Sequence, residues 1–127
     1  MFRFVNLLFT WWNGATVGTH LNTWFRGRWV GEDVFGNRYH ESRDGKRRWV
    51  LFKGISEPSK VPPEWHGWLH HTVVEPPTVA PPAIKAWEQE HQPNWTGTAM
   101  AYRPPGSMLA SGTRAKATGD FEAWRPE

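Results

Sequence analysis

Hydrophobic positions along this chain change their period three times. Between residues 2 and 12, Val5, Leu8, Phe9 and Trp12 recur at i, i+3, i+4 and i+7, with Asn6 and Thr10 on the opposite side. That spacing predicts a short amphipathic helix. A helix this short is marginal alone in water, so it is expected to lie on the chain's own sheet, on a partner subunit or on a membrane interface. Asn13-Gly14 ends the segment. From residue 28 the pattern turns to strands. Arg28-Trp29-Val30, Arg38-Tyr39-His40-Glu41 and residues 47–52 are separated by the turn residues Val34-Phe35-Gly36-Asn37 and the hairpin signal Asp44-Gly45. The expectation is a three-stranded antiparallel meander. In its last strand Trp49 and Leu51 alternate with Val50 and Phe52, so both faces are apolar. One face suits the chain's own helices, and the other suggests a partner.

Pro62 and Pro63 then open a helix expected to run to about His71 and to have ended before Pro76-Pro77. Proline fits the first helical turn, where an N–H has no partner, and it pushes the preceding Val61 into extended geometry. Trp65 and Trp68, three apart, share one face of this helix with Leu69, while His66 and His70 share the adjacent strip.

Periodicity stops there. Residues 72–127 hold eight of the eleven prolines but only six Ile, Leu, Val or Phe in 56 positions. Pro-Pro pairs at 76, 81 and 104, with Gly97, Gly106, Gly112 and Gly119 between and beyond them, favour extended chain. Composition alone describes a disordered tail. Trp87, Trp95, Tyr102, Phe121 and Trp124 are spaced along it like anchors, so an arm ordered on another protein is the preferred expectation. The fold class expected is therefore small α+β. It comprises a short N-terminal amphipathic helix, a three-stranded meander and a short helix in residues 1–71, then a long proline-rich arm with little regular structure in residues 72–127.

Composition narrows the function. Ile, Leu, Val and Phe total 24 of 127 residues, enough for only a small core, and ten tryptophans compete between core and interface roles. Without cysteine there are no disulfides, thiolate zinc sites or iron–sulfur ligands, so any redox role would run through a partner's cofactors. The charge of +3 is uneven: residues 1–71 carry ten Lys or Arg against six Asp or Glu, and residues 72–127 carry five against six. This suits an acidic protein or lipid headgroups without demanding nucleic acid. No apolar run is long enough to span a bilayer, and the N-terminal segment has no small-residue cleavage site, so a soluble or peripheral, non-exported protein is expected.

Candidate chemistry is sparse. His66 and His70 have the i, i+4 spacing by which two imidazoles reach one zinc, but Gly67 stands where a zinc protease carries its general base. Histidines hydrogen-bonding across a packing surface are the preferred reading. Arg43-Asp-Gly-Lys-Arg-Arg48 beside Trp49 has the makings of an RNA-binding patch, and equally of an ordinary charged hairpin turn. The acid pairs Glu88/Glu90 and Asp120/Glu122 lie where no rigid pocket is evident. No phosphate loop, dinucleotide fingerprint or nucleophile elbow occurs, so no enzyme and no cofactor are expected.

Several blocks together carry a resemblance. They are Val30-Gly-Glu-Asp33, Phe35-Gly-Asn-Arg-Tyr39, Arg48-Trp-Val50, Val61-Pro-Pro-Glu-Trp-His-Gly-Trp-Leu-His70, His91-Gln-Pro-Asn-Trp-Thr-Gly-Thr98, Ala101-Tyr-Arg-Pro-Pro-Gly-Ser107 and Ala117-Thr-Gly-Asp-Phe-Glu-Ala-Trp124. In this order the chain resembles the seventeen-kilodalton-class accessory subunit family of respiratory complex I, NADH:ubiquinone oxidoreductase, related to the assembly factor mimitin. The resemblance implies a non-catalytic subunit that clamps the hydrophilic arm near its junction with the membrane arm and supports electron transfer to quinone indirectly. Its implied partners are hydrophilic-arm subunits, including those carrying iron–sulfur clusters near the quinone site; membrane-surface contact through residues 2–12 is a separate expectation from their amphipathic spacing. The implied location is peripheral, on the cytoplasmic side of a bacterial inner membrane, or on the matrix side in a mitochondrion. An assembly chaperone and an RNA-binding module are the alternatives. The interface residues expected are Trp65, His66, Trp68, His70, Trp87, Trp95, Tyr102 and Trp124.

Overall fold

In a computed structural model the chain is described over residues 14–110, 112–114, 116–121 and 123–126. The elements are helix α1 (Val17–Arg26), strands β1 (Gly27–Glu32), β2 (Arg38–Ser42) and β3 (Arg48–Leu51), a 3-10 turn at Pro58–Lys60 and helix α2 (Pro63–Leu69). The sheet order is β1-β2-β3, antiparallel throughout, which is the expected meander in a small α+β fold. The helix expected over residues 2–12 lies outside the described residues. Helix α1 was not expected.

The local chemistry of α1 explains its limits. Thr16 is the N-cap in extended geometry, and its hydroxyl accepts from the Thr19 N–H at 3.3 Å. Arg26 lies in the last turn, where a cation meets the negative helix end. Gly27 closes the helix by donating its N–H to the Thr23 carbonyl. A Cβ at Gly27 would stand 2.5 Å from that carbonyl oxygen and 2.9 Å from the Trp49 ring, so glycine lets the helix pass straight into β1.

The two faces of the sheet are used differently. Gly31 pairs with Tyr39 and Tyr39 with Val50, after a bulge between Trp29 and Gly31. This face receives α2: Tyr39, Val61, Trp65 and Trp68 form the core, flanked by Val30, Val50, Phe52 and Leu69. The Tyr39 and Trp65 rings stack at 3.9 Å and 7°, and Trp68 meets both edge-on. On the opposite face His40 pairs with Trp49, their rings nearly parallel at 6.1 Å, and Trp49 Nε1 donates to Thr23 Oγ1 of α1 at 3.0 Å. The face of β3 expected to await a partner is thus bordered by α1.

Helix α2 ends at Leu69, slightly short of the expected His71. His71 adopts φ +59°, and the N–H groups of Thr72 and Val73 return to the Gly67 carbonyl, which closes the helix end and reverses the chain.

The chain divides into two compact units, one reaching Pro93 and one from Asn94 onward. In the first unit, residues 72–93 run back over the sheet and α2: Thr78 approaches Gly31, and His91 Nε2 lies 2.8 Å from the Ser59 carbonyl and edge-on to Phe35. The described residues of the second unit form hydrogen-bonded turns, such as Thr98 N–H to the Trp95 carbonyl and Ser107 N–H to the Pro104 carbonyl, without helix or strand.

Candidate interaction surface

Two polar devices fix the scaffold that would present any interface. The first is the Asp33 carboxylate in the turn between β1 and β2. It accepts from the N–H groups of Phe35 and Asn37, from Asn37 Nδ2 and from Tyr39 Oη, at 2.7–2.9 Å. Asn37, fully buried, accepts at its Oδ1 from the Lys53 N–H at 3.1 Å. Buried polar groups cost free energy unless paired, and here every link is made by a residue close in the chain or by Lys53 just past the end of β3. Burial pushes the Tyr39 hydroxyl far above its ordinary pKa, aided by the hydrogen bond to Asp33 and the charges of Asp33 and Glu64. It therefore remains a donor.

The second device is Arg48 on β3. Its Nη1 donates to the Trp68 and Val73 carbonyls at 2.6 and 3.0 Å, its Nη2 to the Val74 carbonyl at 3.0 Å, and the guanidinium lies 4.7 Å over the Trp68 ring. One side chain thus ties the sheet to the end of α2 and to the chain that follows. Only a planar, forked donor can do this. The sequence showed Arg48 as part of a charged hairpin, with nothing to mark a partner 20 to 26 residues away. Asp33 was legible only as a turn residue.

Of the expected interface residues, Trp65 and Trp68 are 3% and 1% exposed and fill the core, so neither ring has surface left to offer a partner. His66 and His70 do come together, ring centroids 4.2 Å apart, on the exposed side of α2. Among the described residues no group of three or more His, Cys, Asp or Glu is placed to hold a metal ion. His40, which sequence reading left aside, is buried on the α1 face with its pKa lowered by desolvation. Trp87, Tyr102 and Trp124 are exposed, and Trp95 is at the margin of exposure. Lys85 lies 5.1 Å over the Trp87 ring. In the second unit, Arg114 pairs with Asp120, and that bond together with the Ala117 N–H lowers the Asp120 pKa.

Other exposed apolar side chains extend the set: Leu21, Trp24 and Phe25 on α1, Trp29 on β1, and Phe121 in the second unit. The signal for α1 was present in the sequence, since Val17, Leu21 and Trp24 recur at i, i+4 and i+7 between a Thr cap and a Gly stop. No described helix is long and apolar enough to cross a membrane.

The fold defines a small α+β protein whose core is built on buried aromatic side chains, with further aromatics exposed on α1 and in the turn-rich second unit. The family model for NADH ubiquinone oxidoreductase subunit NDUFA12 matches residues 27–126, and the chain belongs to that family. A probable NADH dehydrogenase [ubiquinone] 1 alpha subcomplex subunit 12 of Caenorhabditis elegans is 37% identical over 107 residues, covering 79% of this chain and 68% of the relative. The subunit 12 of Bos taurus is 40% identical over 92 residues, covering 61% of this chain and 63% of the relative. An uncharacterized protein of Rickettsia prowazekii is 50% identical over 69 residues, covering 50% of this chain and 67% of the relative. The chain thus spans roughly two thirds of the length of these relatives.

Proposed function

We infer that this protein is a non-catalytic accessory subunit of respiratory complex I. The observation that carries the reading is the match to the subunit family over residues 27–126, which takes in both the sheet-and-helix core and the second unit. The geometry supports the role. The core is held by its own aromatic stack and by the Asp33 and Arg48 networks, so the exposed Trp87, Tyr102, Phe121 and Trp124 are free for contact with neighbouring subunits. Aromatic side chains are among the usual carriers of interface energy. In this reading the expected arm of residues 72–127 is ordered within the first unit as far as Pro93 and on partner subunits from Asn94 onward. His66 and His70, paired at the surface of α2, add polar contacts, and Trp95 a further aromatic one.

The finer placement rests on the sequence resemblance. In that finer reading the subunit sits on the hydrophilic arm near the membrane junction, against subunits that carry the last iron–sulfur clusters before quinone; contact of residues 2–12 with the membrane surface is supported separately by their apolar spacing. The compartment is then the cytoplasmic side of a bacterial inner membrane, or the matrix side in a mitochondrion.

The test is an inventory of mature complex I resolved on a native gel, with and without the gene. The protein should co-migrate with the active enzyme, and its loss should spare NADH oxidation by artificial acceptors while lowering assembly or quinone-linked turnover. Presence only in incomplete assemblies would instead make it an assembly factor, and salt-sensitive binding to RNA without complex I would overturn the reading.

A further inference from the structure

The face of the sheet that carries α1 holds a feature that the accessory-subunit reading does not use. Between α1 and the turn joining β2 to β3 runs an open cleft of ≈ 290 Å³, lined by Asn22, Phe25, Arg26, Arg43, Arg47 and Trp49 among others. Trp24 and Phe25 touch at 4.8 Å between ring centroids and are 75% and 61% exposed. Leu21, one helical turn before Phe25, is also exposed. Apolar side chains of this size on a helix with no buried residue of its own have not found their packing partner within the described chain.

Positive charges outnumber negative ones around the cleft. Arg26, Arg43 and Arg47 line it, and Lys46 stands beside them at the turn. Asp44 is the carboxylate among them, and it is occupied locally by the Ser42 hydroxyl and the Lys46 N–H. The ion pairs among the described residues are Arg28 with Glu41 and Arg114 with Asp120, so none of these four cations is engaged in one. The orientation of the surface is fixed, because Thr23 is bonded to Trp49 and Gly27 admits no side chain at the joint between α1 and β1.

We propose that this face is a docking site for an anionic lipid surface, with Trp24 and Phe25 entering the headgroup boundary and Arg26, Arg43 and Arg47 binding lipid phosphate. Three features select lipid over a folded acidic protein. The exposed side chains are the Trp, Phe and Leu of interfacial helices, with arginines at their edge. The cleft is open to solvent, as mobile headgroups require. The chain immediately before α1 is the apolar stretch of residues 2–12, whose Val5, Leu8, Phe9 and Trp12 suit the same boundary. The proposal deepens the membrane contact named above by moving its charge-selective part onto the folded unit.

Co-sedimentation of the full chain with vesicles tests it, comparing phosphatidylcholine alone with phosphatidylcholine containing phosphatidylglycerol. Near-UV circular dichroism checks that each variant keeps the aromatic core. The wild-type chain should bind the anionic vesicles preferentially, less so as salt rises, and Arg43→Glu with Arg47→Glu should weaken partition by about tenfold or more. Trp24→Ser should weaken it too, without removing the salt dependence. Equal binding to both vesicle types would overturn the proposal. So would full anionic binding by the arginine variant together with loss in Phe9→Ser plus Trp12→Ser, which would leave residues 2–12 as the sole lipid contact. If the arginine variant binds vesicles normally but no longer co-migrates with complex I, the face belongs to an acidic protein surface instead. Vesicle binding is read without complex I, so its failure leaves the subunit assignment to be judged on the native gel alone.

Discussion

At the scale of residues, the Asp33 carboxylate does more than any apolar contact to set the shape of the β1–β2 turn. It collects four donors, two of them from the side chains of buried Asn37 and Tyr39. Removing the acceptor leaves these donors unpaired in the interior, and each such group costs about 1–3 kcal/mol. Removing one donor leaves the carboxylate with three partners. Asp33→Ala should therefore destabilise the folded unit by about 3 kcal/mol or more, and Tyr39→Phe by only about 1 kcal/mol. Urea unfolding followed by Trp fluorescence measures both. The reverse order would show that the Tyr39 hydroxyl, and not the carboxylate, organises the turn.

Among the elements, the least expected link is that between β3 and the end of α2. Neither β3 nor α2 exceeds seven residues, so neither is stable by itself, and Arg48 joins them through the carbonyls of Trp68, Val73 and Val74. Arg48→Met keeps the stem over Trp68 but forfeits the three hydrogen bonds. Hydrogen exchange should then quicken by about tenfold or more at the Thr72 and Val73 amides, which bond to the Gly67 carbonyl, a loss of about 1.4 kcal/mol of local protection. Amides of the β2–β3 ladder should change little. Arg48→Lys should resemble the Met variant, because one ammonium cannot span three carbonyls. Uniform acceleration across the sheet would mean that Arg48 supports the whole unit and not this junction.

For the whole molecule, the contrast is between a first unit with a core and a second without one. Among the described residues the buried apolar side chains are Tyr39, Leu51, Val61, Trp65 and Trp68, all before Pro93, whereas Met100, Tyr102, Met108, Leu109, Phe121 and Trp124 are exposed. Ordering a residue's backbone costs about 1–2 kcal/mol, and turns without burial offset little of it. In the isolated chain, amides of residues 94–126 should exchange at nearly unprotected rates while those of Tyr39 and Val50 remain protected. Within complex I the same segment should become protected by about a hundredfold or more, as expected for order gained on binding. Strong protection in the free chain would show that this segment stabilises itself.

What the sequence determined by itself was whatever local rules govern. Alternation and turn residues marked the three strands, the proline pair marked the start of α2, and the ordered motif blocks marked the family. Helix α1 escaped notice because Gly18 and the threonines at 16, 19 and 23 lower helix propensity. Thr16 in fact caps the helix, and Thr23 turns its hydroxyl to the Thr19 carbonyl and to Trp49. The tertiary structure alone decided which tryptophans are core and which are surface. Trp65 and Trp24 are the same side chain on short helices of 7 and 10 residues, and they differ because Tyr39 offers one a flat ring to stack on while the sheet leaves the other beside an open cleft. Burial is a property of what the fold places opposite a residue, and neither identity nor period along the chain encodes that.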